Sequence, residues 1–311
     1  MVIDYAALER RLGRDLLRKR LLKQAHQEAT ETPQRKYIID IQRFEKLIGL
    51  GLKLVGIYHL GRRNALSMEV IYNEIFIKNL PEAFDGYKLL QLTDLHADID
   101  RALSPKIIKA VQGLNYDLCV ITGDFRSKTF EAYHVAIEET LEICKAITAP
   151  IYAVLGNHDF IEIVPHLEAA GIQFLLNETT YIDHGGARIL LAGIDDPNYY
   201  QTHSISKVAQ DLQPEMCSIL LSHSPETFAQ AEAAGFSALL AGHTHGGQIC
   251  LPGGIPIVNN SNGCSREKIA GPWRHHNLEG YTSRGTGCCG IPVRLNCPPE
   301  ITLHTLRTKH N

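Results

Sequence analysis

Five short clusters of aspartate, histidine and asparagine each follow directly on an apolar run of β-like composition, and this recurrence constrains the fold more than any other feature. The clusters are Asp94-Leu95-His96, Gly123-Asp124, Gly156-Asn157-His158-Asp159, His223 and Gly242-His243-Thr244-His245. The runs that precede them are Lys88 to Leu92, Leu118 to Thr122, Ile151 to Leu155, Ile219 to Ser222 and Ala238 to Ala241. Side chains at the carboxyl ends of neighbouring strands of an α/β sheet converge on one rim, where such sheets bind their ligands.

The residue types suit a pair of divalent metals. Such a pair, roughly 3.5–4 Å apart in two-metal hydrolases, needs a bridging carboxylate, neutral imidazoles, and few enough ligands that water and substrate can enter. Asp124 suits the bridge, with Asp94, His96 and His245 completing one site and Asn157, His223 and His243 the other. Mixed oxygen and nitrogen ligation without cysteine suits Mn, Fe, Zn or Co better than Mg or Ca. Taken singly, Asp-x-His or Gly-Asp is more often a chance pair than a ligand pair, and the Gly-Asn-His-Asp and Gly-His-Thr-His clusters could be ordinary loops, since Gly and Asn favour turns. Five in this order, each after a strand, are another matter. His158 has no place in the coordination set and is the candidate to stabilise developing charge or protonate a leaving group. Asp159 is expected to orient that imidazole or to cap a helix beginning near Ile161. Thr244 and Asp98 are expected to support the ligands from behind.

The order D-x-H, G-D, G-N-H-D, H, G-H-x-H resembles the signature of the calcineurin-like metallophosphoesterases, and the resemblance runs from about Ser67 to the C-terminus. The ending Arg284-Gly285-Thr286-Gly287, Pro292-Val293-Arg294, Pro298-Pro299-Glu300-Ile301 resembles a branch of small bacterial phosphoesterases that includes UDP-2,3-diacylglucosamine pyrophosphatase-like enzymes of lipid A biosynthesis. The resemblance implies an α/β fold, a four-layer α/β/β/α sandwich, and hydrolysis of a phosphate ester or anhydride. It also implies two divalent metal ions per chain, manganese first, with Fe, Zn or Co as the other candidates. It marks Arg284 and Arg294 as substrate contacts.

Ahead of this body the composition changes. Residues 1–66 hold 14 Lys+Arg against 7 Asp+Glu, net +7, and the remainder 17 against 27, net −10. Leu8, Leu12 and Leu16 recur at helical spacing, joined by Leu17, Leu21 and Leu22, among Arg10, Arg11, Arg14, Arg18, Lys19, Arg20 and Lys23. Glu31-Thr32-Pro33 breaks this helix, and a second stretch sets Tyr37, Ile41, Phe44, Ile48, Leu52 and Val55 on one side. The apolar run Leu47 to Leu60 spans about 14 residues and contains Lys53, short of the roughly 20 apolar residues of a membrane span. It starts too far from Met1 for an ordinary signal peptide. The chain thus divides into a basic amphipathic helical appendage, 1–66, and a metallophosphoesterase domain, 67–311. The appendage is either an interfacial anchor on anionic lipid, holding a cytoplasmic enzyme peripherally on that face of the membrane, or a hairpin packed on its own enzyme domain or a second subunit.

Within the body, helices are expected at Ser104 to Leu114, Phe130 to Ala146, Ile161 to Ala170 and Pro225 to Ala234. Gln173 to Leu175, Thr179 to Ile182 and Arg188 to Gly193 read as strands of a second sheet. From Gly246 the chain is rich in Gly, Pro and Asn for about fifty residues, a loop-like stretch expected to carry substrate contacts among Arg266, Lys268, Arg274, His275, His276, Arg284 and Arg294. The eight cysteines are expected as thiols; Cys119 and Cys217 lie in apolar strands, Cys144 on a helix, and Cys264, Cys288, Cys289 and Cys297 lack the spacing of a zinc site.

Three functions compete. One is a phosphoesterase on a lipid-linked substrate. The second is a soluble phosphodiesterase or phosphatase acting on nucleotides or phosphoproteins. The third, a non-catalytic metal-binding scaffold, is disfavoured because every ligand and His158 are present. No nucleic-acid partner is predicted, and oligomeric state has no sequence signature.

Overall fold

Buried parallel strands demand cover on both faces, and the alternation within β3 (Leu118–Thr122) shows how it is supplied. Leu118 and Val120 pack into one apolar layer while Cys119 and Ile121 pack into another. The computed structural model describes residues 2–28, 46–127, 132–257 and 264–309. Among these, one six-stranded sheet runs β1 (Glu69–Ile77), β14 (Glu300–Thr308), β2 (Lys88–Leu92), β3, β4 (Ile151–Val154) and β5 (Ile172–Phe174). A second runs β12 (Gly271–His275), β13 (Leu278–Thr282), β9 (Ala238–Ala241), β8 (Ser218–Leu221), β7 (Ala187–Gly193) and β6 (Glu178–His184). The layer between them draws Leu89, Val120 and Val154 from the first and Leu191, Ile219 and Leu240 from the second. Helices Ser104–Gln112, His134–Cys144 and Ile163–Glu168 cover the outside of the first sheet through Ile107, Val111, Ile143 and Leu167. Helices Ile205–Val208 and Phe228–Ala234 cover the second through Val208 and Ala231. This is the four-layer α/β/β/α sandwich that the signature implies.

Two readings change. Ile172–Phe174 pairs in parallel with β4 and so belongs to the first sheet rather than the second. The Gly- and Pro-rich tail is also not all loop. Gly271 and Pro272 begin β12, an edge strand, where the N–H that proline lacks is not needed. The following β13 pairs with β9, and a short hairpin of β10 (Cys250–Leu251) and β11 (Ile255–Pro256) precedes both.

The N-terminal helices divide into two groups. α1 (Tyr5–Leu12) is capped by Asp4, whose Oδ1 accepts from Ala7 N at 3.0 Å, and the chain bends at Gly13, φ 90°, into α2 (Arg14–Glu28). Leu8, Leu12 and Leu17 are buried in the cluster that covers the first sheet. Arg11 pairs with Glu168 and Glu178 at 2.8 Å each. Arg20 is 0% exposed; its Nη1 donates to Asp195 Oδ1 at 2.5 Å, its Nη2 to Asp159 O at 2.7 Å, and its guanidinium stacks on Tyr200. α3 (46–54) and α4 (Tyr58–Ala65) behave otherwise: Leu47, Leu50, Leu54, Val55, Ile57 and Leu60 are exposed. α4 meets the body at Gly61, where an added methyl would strike Val293. No helix among the described residues is long and apolar enough to cross a membrane. Glu31-Thr32-Pro33 and the positions Tyr37, Ile41 and Phe44 lie outside the described residues, as do Phe130 and Asn259-Asn260.

Candidate metal centre

The turns after β2, β3, β4, β8 and β9 meet at one rim because they are stitched to one another by backbone hydrogen bonds. Asp94 N donates to Gly123 O at 2.9 Å, His96 N to Asp124 O at 3.0 Å, and Gly242 N to His223 O at 2.9 Å. Asp94, His96, Asp124, His243 and His245 all adopt positive φ, between 41° and 72°. For residues other than glycine that conformation costs about 1–3 kcal/mol each and persists only where the surroundings over-determine it. The motif glycines are there for space: a methyl on Gly156 would lie 2.2 Å from Asp124 Oδ1, and one on Gly242 2.4 Å from Asp94 Oδ2.

These turns gather the predicted ligands. Asp124 Oδ2 lies 3.2 Å from His223 Nε2 and 3.7 Å from His96 Nε2. His223 Nε2 is 2.9 Å from Asn157 Oδ1 and 3.2 Å from His243 Nδ1. On the other side, His96 Nε2 is 3.1 Å from His245 Nε2, which is 3.3 Å from Asp94 Oδ1. Two trios, Asp94 with His96 and Asp124, and Asp124 with His223 and His243, each hold their ligand atoms within 4.8 Å of one another and share Asp124.

The donor set fits a cation. His96 Nδ1 faces Arg126 O at 2.9 Å and His223 Nδ1 faces Thr122 O at 2.8 Å. A carbonyl only accepts, so both Nδ1 atoms carry protons, and in the neutral imidazoles both Nε2 atoms present lone pairs. At His223 that lone pair meets Asn157 Oδ1 and Asp124 Oδ2, three acceptors that need a positive charge between them. Burial alone would lower the His223 imidazole, but Asp124 lifts it to about 10, and burial lifts Asp94 to about 6. A metal ion held by these residues would relieve both, taking the place of the His223 proton and offsetting the carboxylate charge. His243 Nε2 is buried without a hydrogen-bond partner.

The supporting residues differ from expectation. Asp159 neither caps a helix nor orients His158; its carboxylate accepts from Asp124 N and Gly156 N at 2.8 Å and from Phe125 N at 2.9 Å, tying two ligand turns together. His158 is oriented instead by Ser127, whose carbonyl lies 2.5 Å from Nδ1, and its Nε2 is 3.9 Å from Asp124 Oδ2. Asp98 Oδ1 in turn accepts from Ser127 N at 2.7 Å, and Thr244 Oγ1 donates to Ile269 O at 2.6 Å.

The two arginines are committed to protein groups. Arg294, 0% exposed, donates from Nη2 to Gly287 O at 2.5 Å and to Arg284 O at 2.8 Å, and Nη2 is 3.3 Å from His245 Nδ1. Arg284 pairs with Glu300 at 2.5 Å and Glu69 at 3.0 Å. Lys268 and His275 gather around Phe228, at the start of the helix Phe228–Ala234 that covers the second sheet.

Cys289 is brought to the rim, its Sγ 4.0 Å from His158 Nε2. The only sequence signal for it was its place two residues after Gly287, at the end of the Arg-Gly-Thr-Gly motif.

Residues 87–247, just over half of the 311, match the family model of the calcineurin-like phosphoesterases. The metallophosphoesterase YkoQ of Bacillus subtilis is 28% identical over 275 residues, covering 85% of this chain and 100% of its own. YkuE of the same organism, also a metallophosphoesterase, is 30% identical over 247 residues, covering 74% and 82%. The phosphodiesterase YaeI of Escherichia coli is 28% identical over 232 residues, covering 70% and 81%. The chain belongs to the calcineurin-like phosphoesterase family, and with it to the metal-dependent hydrolases of phosphoesters.

Proposed function

We propose that the enzyme cleaves a phosphodiester or pyrophosphate bond of a lipid-linked substrate at an anionic membrane surface, using two divalent ions that share Asp124. The observation that carries the lipid reading is a set of exposed apolar side chains on two segments that are both hydrogen-bonded to the chain just after Cys289. Leu47, Leu50, Leu54, Val55, Ile57 and Leu60 are exposed on or beside α3 and α4, and Leu251, Ile255 and Ile257 on or beside the β10–β11 hairpin. Both join the segment that follows Cys289: Arg294 N donates to Gly61 O at 3.0 Å and Cys250 N to Leu295 O at 2.9 Å. Lys46, Lys53, Arg62 and Arg63 accompany the patch, and no Asp or Glu occurs from residue 46 to 68. Apolar side chains flanked by basic ones suit anionic headgroups. The resemblance of the C-terminal motifs to one branch of the family supports a specific form of this reading, a peripheral enzyme on the cytoplasmic face acting on UDP-2,3-diacylglucosamine in lipid A biosynthesis, with manganese as its metal.

When bound, the divalent ions supply a water acidic enough to attack near neutral pH and a counter-charge for the phosphoryl oxygens. Asp94, His96 and His245 would hold one ion, Asn157, His223 and His243 the other, and Asp124 both. Asp159 keeps the Asp124 and Asn157 turns in register through the Asp124 and Gly156 amides. His158, its Nδ1 held by Ser127 O, is left with Nε2 to protonate the leaving oxygen.

A soluble phosphodiesterase or phosphatase acting on nucleotides or phosphoproteins is the second reading. The packing of α1 and α2 on the body favours it, because Leu8, Leu12 and Leu17 are then withheld from lipid. A Mn-supplemented screen of the purified protein against a generic phosphodiester, a phosphomonoester and UDP-2,3-diacylglucosamine, with and without anionic vesicles, separates the two. Turnover of the lipid-linked compound that rises with vesicles supports the first; turnover of the soluble diester alone moves the second ahead. Asp124→Asn is expected to lose metal and hydrolysis together, and full metal content with full activity would sink the centre. His158→Ala should keep its metal and lose roughly 100- to 10,000-fold in turnover.

A further inference from the structure

We infer that Cys289 is part of the metal centre, its sulfur a further ligand on the side held by Asp94, His96 and His245. This rests on the metal-centre reading and concerns a residue that reading leaves out. The ligand atoms of His96, His245 and Cys289 all lie within 4.8 Å of one another. Sulfur and nitrogen bound to one zinc ion at about 2.3 and 2.0 Å sit roughly 3.5 Å apart. A thiol that turns on a single rotatable bond can close that difference.

The thiol is delivered to the rim by fixed backbone. Thr286 N and Gly287 N donate to Thr93 O and Asp94 O, both at 2.8 Å, which zips this loop to the turn that carries Asp94 and His96. Only glycine fits at 287, since a methyl there would lie 2.1 Å from Leu95 O. The side-chain amide of Gln248, just past the Gly-His-Thr-His turn, then grips Cys289 from both ends: Oε1 accepts from Cys289 N at 2.7 Å and Nε2 donates to Cys289 O at 2.9 Å. A glutamine, a glycine and two ladder bonds thus position one sulfur beside the histidines.

The neighbouring cysteines are disposed differently. Cys297 Sγ donates to His245 O and Cys250 Sγ to Gly246 O, both at 3.3 Å, so these thiols lie behind the turn on backbone acceptors. Cys289 Sγ instead meets His158 Nε2 at 4.0 Å, on the side of the site where His158 works.

Ligation would form a sulfur–metal bond as the thiol proton passes to water, with no change of oxidation state. A thiolate among oxygen and nitrogen ligands favours softer ions, so the centre should prefer Zn, Co or Fe over Mn more strongly than a site built of Asp, Asn and His alone. The half-buried sulfur is also open to alkylating and oxidising reagents when no ion covers it.

The test uses the full-length protein, freed of metal and titrated with Co(II) alone. Bands in the visible report cobalt held by histidine and carboxylate, and a near-ultraviolet sulfur-to-cobalt charge-transfer band reports the thiolate. The wild type should show both, and Cys289→Ser should keep the first and lose the second. Cobalt binding without the charge-transfer band, or an undiminished band in Cys289→Ser, overturns the assignment while leaving the metal centre intact; no cobalt binding at all overturns both. Two further measurements follow, the first on the wild type alone and the second on the variant once circular dichroism shows that it is folded. In the wild type, Zn(II) should strongly slow iodoacetamide labelling of Cys289, located by peptide mass spectrometry, because the thiolate that holds a metal is the same species that attacks the reagent. Zn(II) should also bind the wild type more tightly than Mn(II) by a ratio that falls about tenfold or more in Cys289→Ser. Equal labelling with and without zinc, or an unchanged ratio in a folded variant, overturns the proposal.

Discussion

Residues 8–23 and 46–63 are written in the same style, leucines at helical spacing among lysine and arginine, yet the first segment is built into the enzyme and the second stands on its surface. Composition does not separate them. What differs is the polar surface each meets. Arg11 finds Glu168 and Glu178, Arg20 finds Asp195 and the Asp159 carbonyl, Lys19 the Gln201 carbonyl, and Gln24 donates to Glu162 while accepting from Ile161 N. For the second segment the contacts to the body include Arg62 with Asp100 and Gly61 with Arg294. An amphipathic pattern says that a helix will bury a face and is silent about what will cover it. An acidic body, net −10 by sequence, competes with anionic lipid for any basic helix joined to it.

The burial of Arg20 also ties α2 to the chemistry. Its guanidinium holds the carbonyl of Asp159, the same residue whose carboxylate fastens the turns of Asp124 and Gly156. The harshest way to break the comparison is therefore to delete residues 2–28. That truncation strips cover from the outside of the first sheet and takes from Asp195 its arginine partner, so the expected result is loss of the native fold, read by circular dichroism, and of hydrolysis of a small soluble diester. A truncated protein that melts at the wild-type temperature and turns over the soluble diester would show that α1 and α2 are an appendage after all. Arg20→Met is the gentler form. Removing one member of a buried pair typically costs about 3–5 kcal/mol, and urea denaturation should show a loss of that size together with weaker metal retention. A loss under about 1 kcal/mol, the range of surface pairs, would move Arg20 to the periphery.

Much of the site was readable because its ligands follow buried parallel strands, which appear in sequence as continuous apolar runs. Lys88–Leu92, Leu118–Thr122 and Ala238–Ala241 are strands at their expected bounds, and His96, Asp124 and His243 stand within four residues of their ends. What escaped depends on partners remote in the chain. Asp159 accepts from an amide 35 residues away, Arg20 pairs 175 residues away, and Cys289 lies 131 residues from His158. No local pattern encodes such pairs. The strands β12 and β13 were hidden for a different reason: Gly271, Pro272 and Gly280 are turn formers by propensity, and an edge position together with Trp273 packed over Gly280 overrides them.

The exposed half of the comparison sharpens under milder changes. Replacing Leu50 and Leu54 together by serine should alter unfolding stability by no more than about 0.5 kcal/mol, as expected for solvent-facing positions, while lowering affinity for anionic vesicles about tenfold or more, since each leucine that would sink into lipid is worth roughly 1.5–3 kcal/mol at full burial. Loss of stability without loss of vesicle binding would mean that protein, in this chain or a second copy, covers these leucines.

The smallest expected effect is electrostatic. Lys53 sits among the exposed leucines with its Nζ 4.9 Å from the centre of the Tyr58 ring, and it has no carboxylate neighbour in sequence between residues 46 and 68. Near an anionic surface a basic residue contributes about 1 kcal/mol, which is roughly a fivefold change in partitioning. Lys53→Ala should therefore weaken co-sedimentation with anionic vesicles by about that factor at low salt, and the difference should shrink as salt rises, because exposed charges are screened beyond about 8 Å at physiological ionic strength. Arg20 provides the control. Buried and paired with Asp195, it should give Arg20→Met a stability defect that changes little with salt. If the two variants responded to salt alike, the distinction between a helix built into the body and a helix presented to a membrane would fail at its electrostatic root.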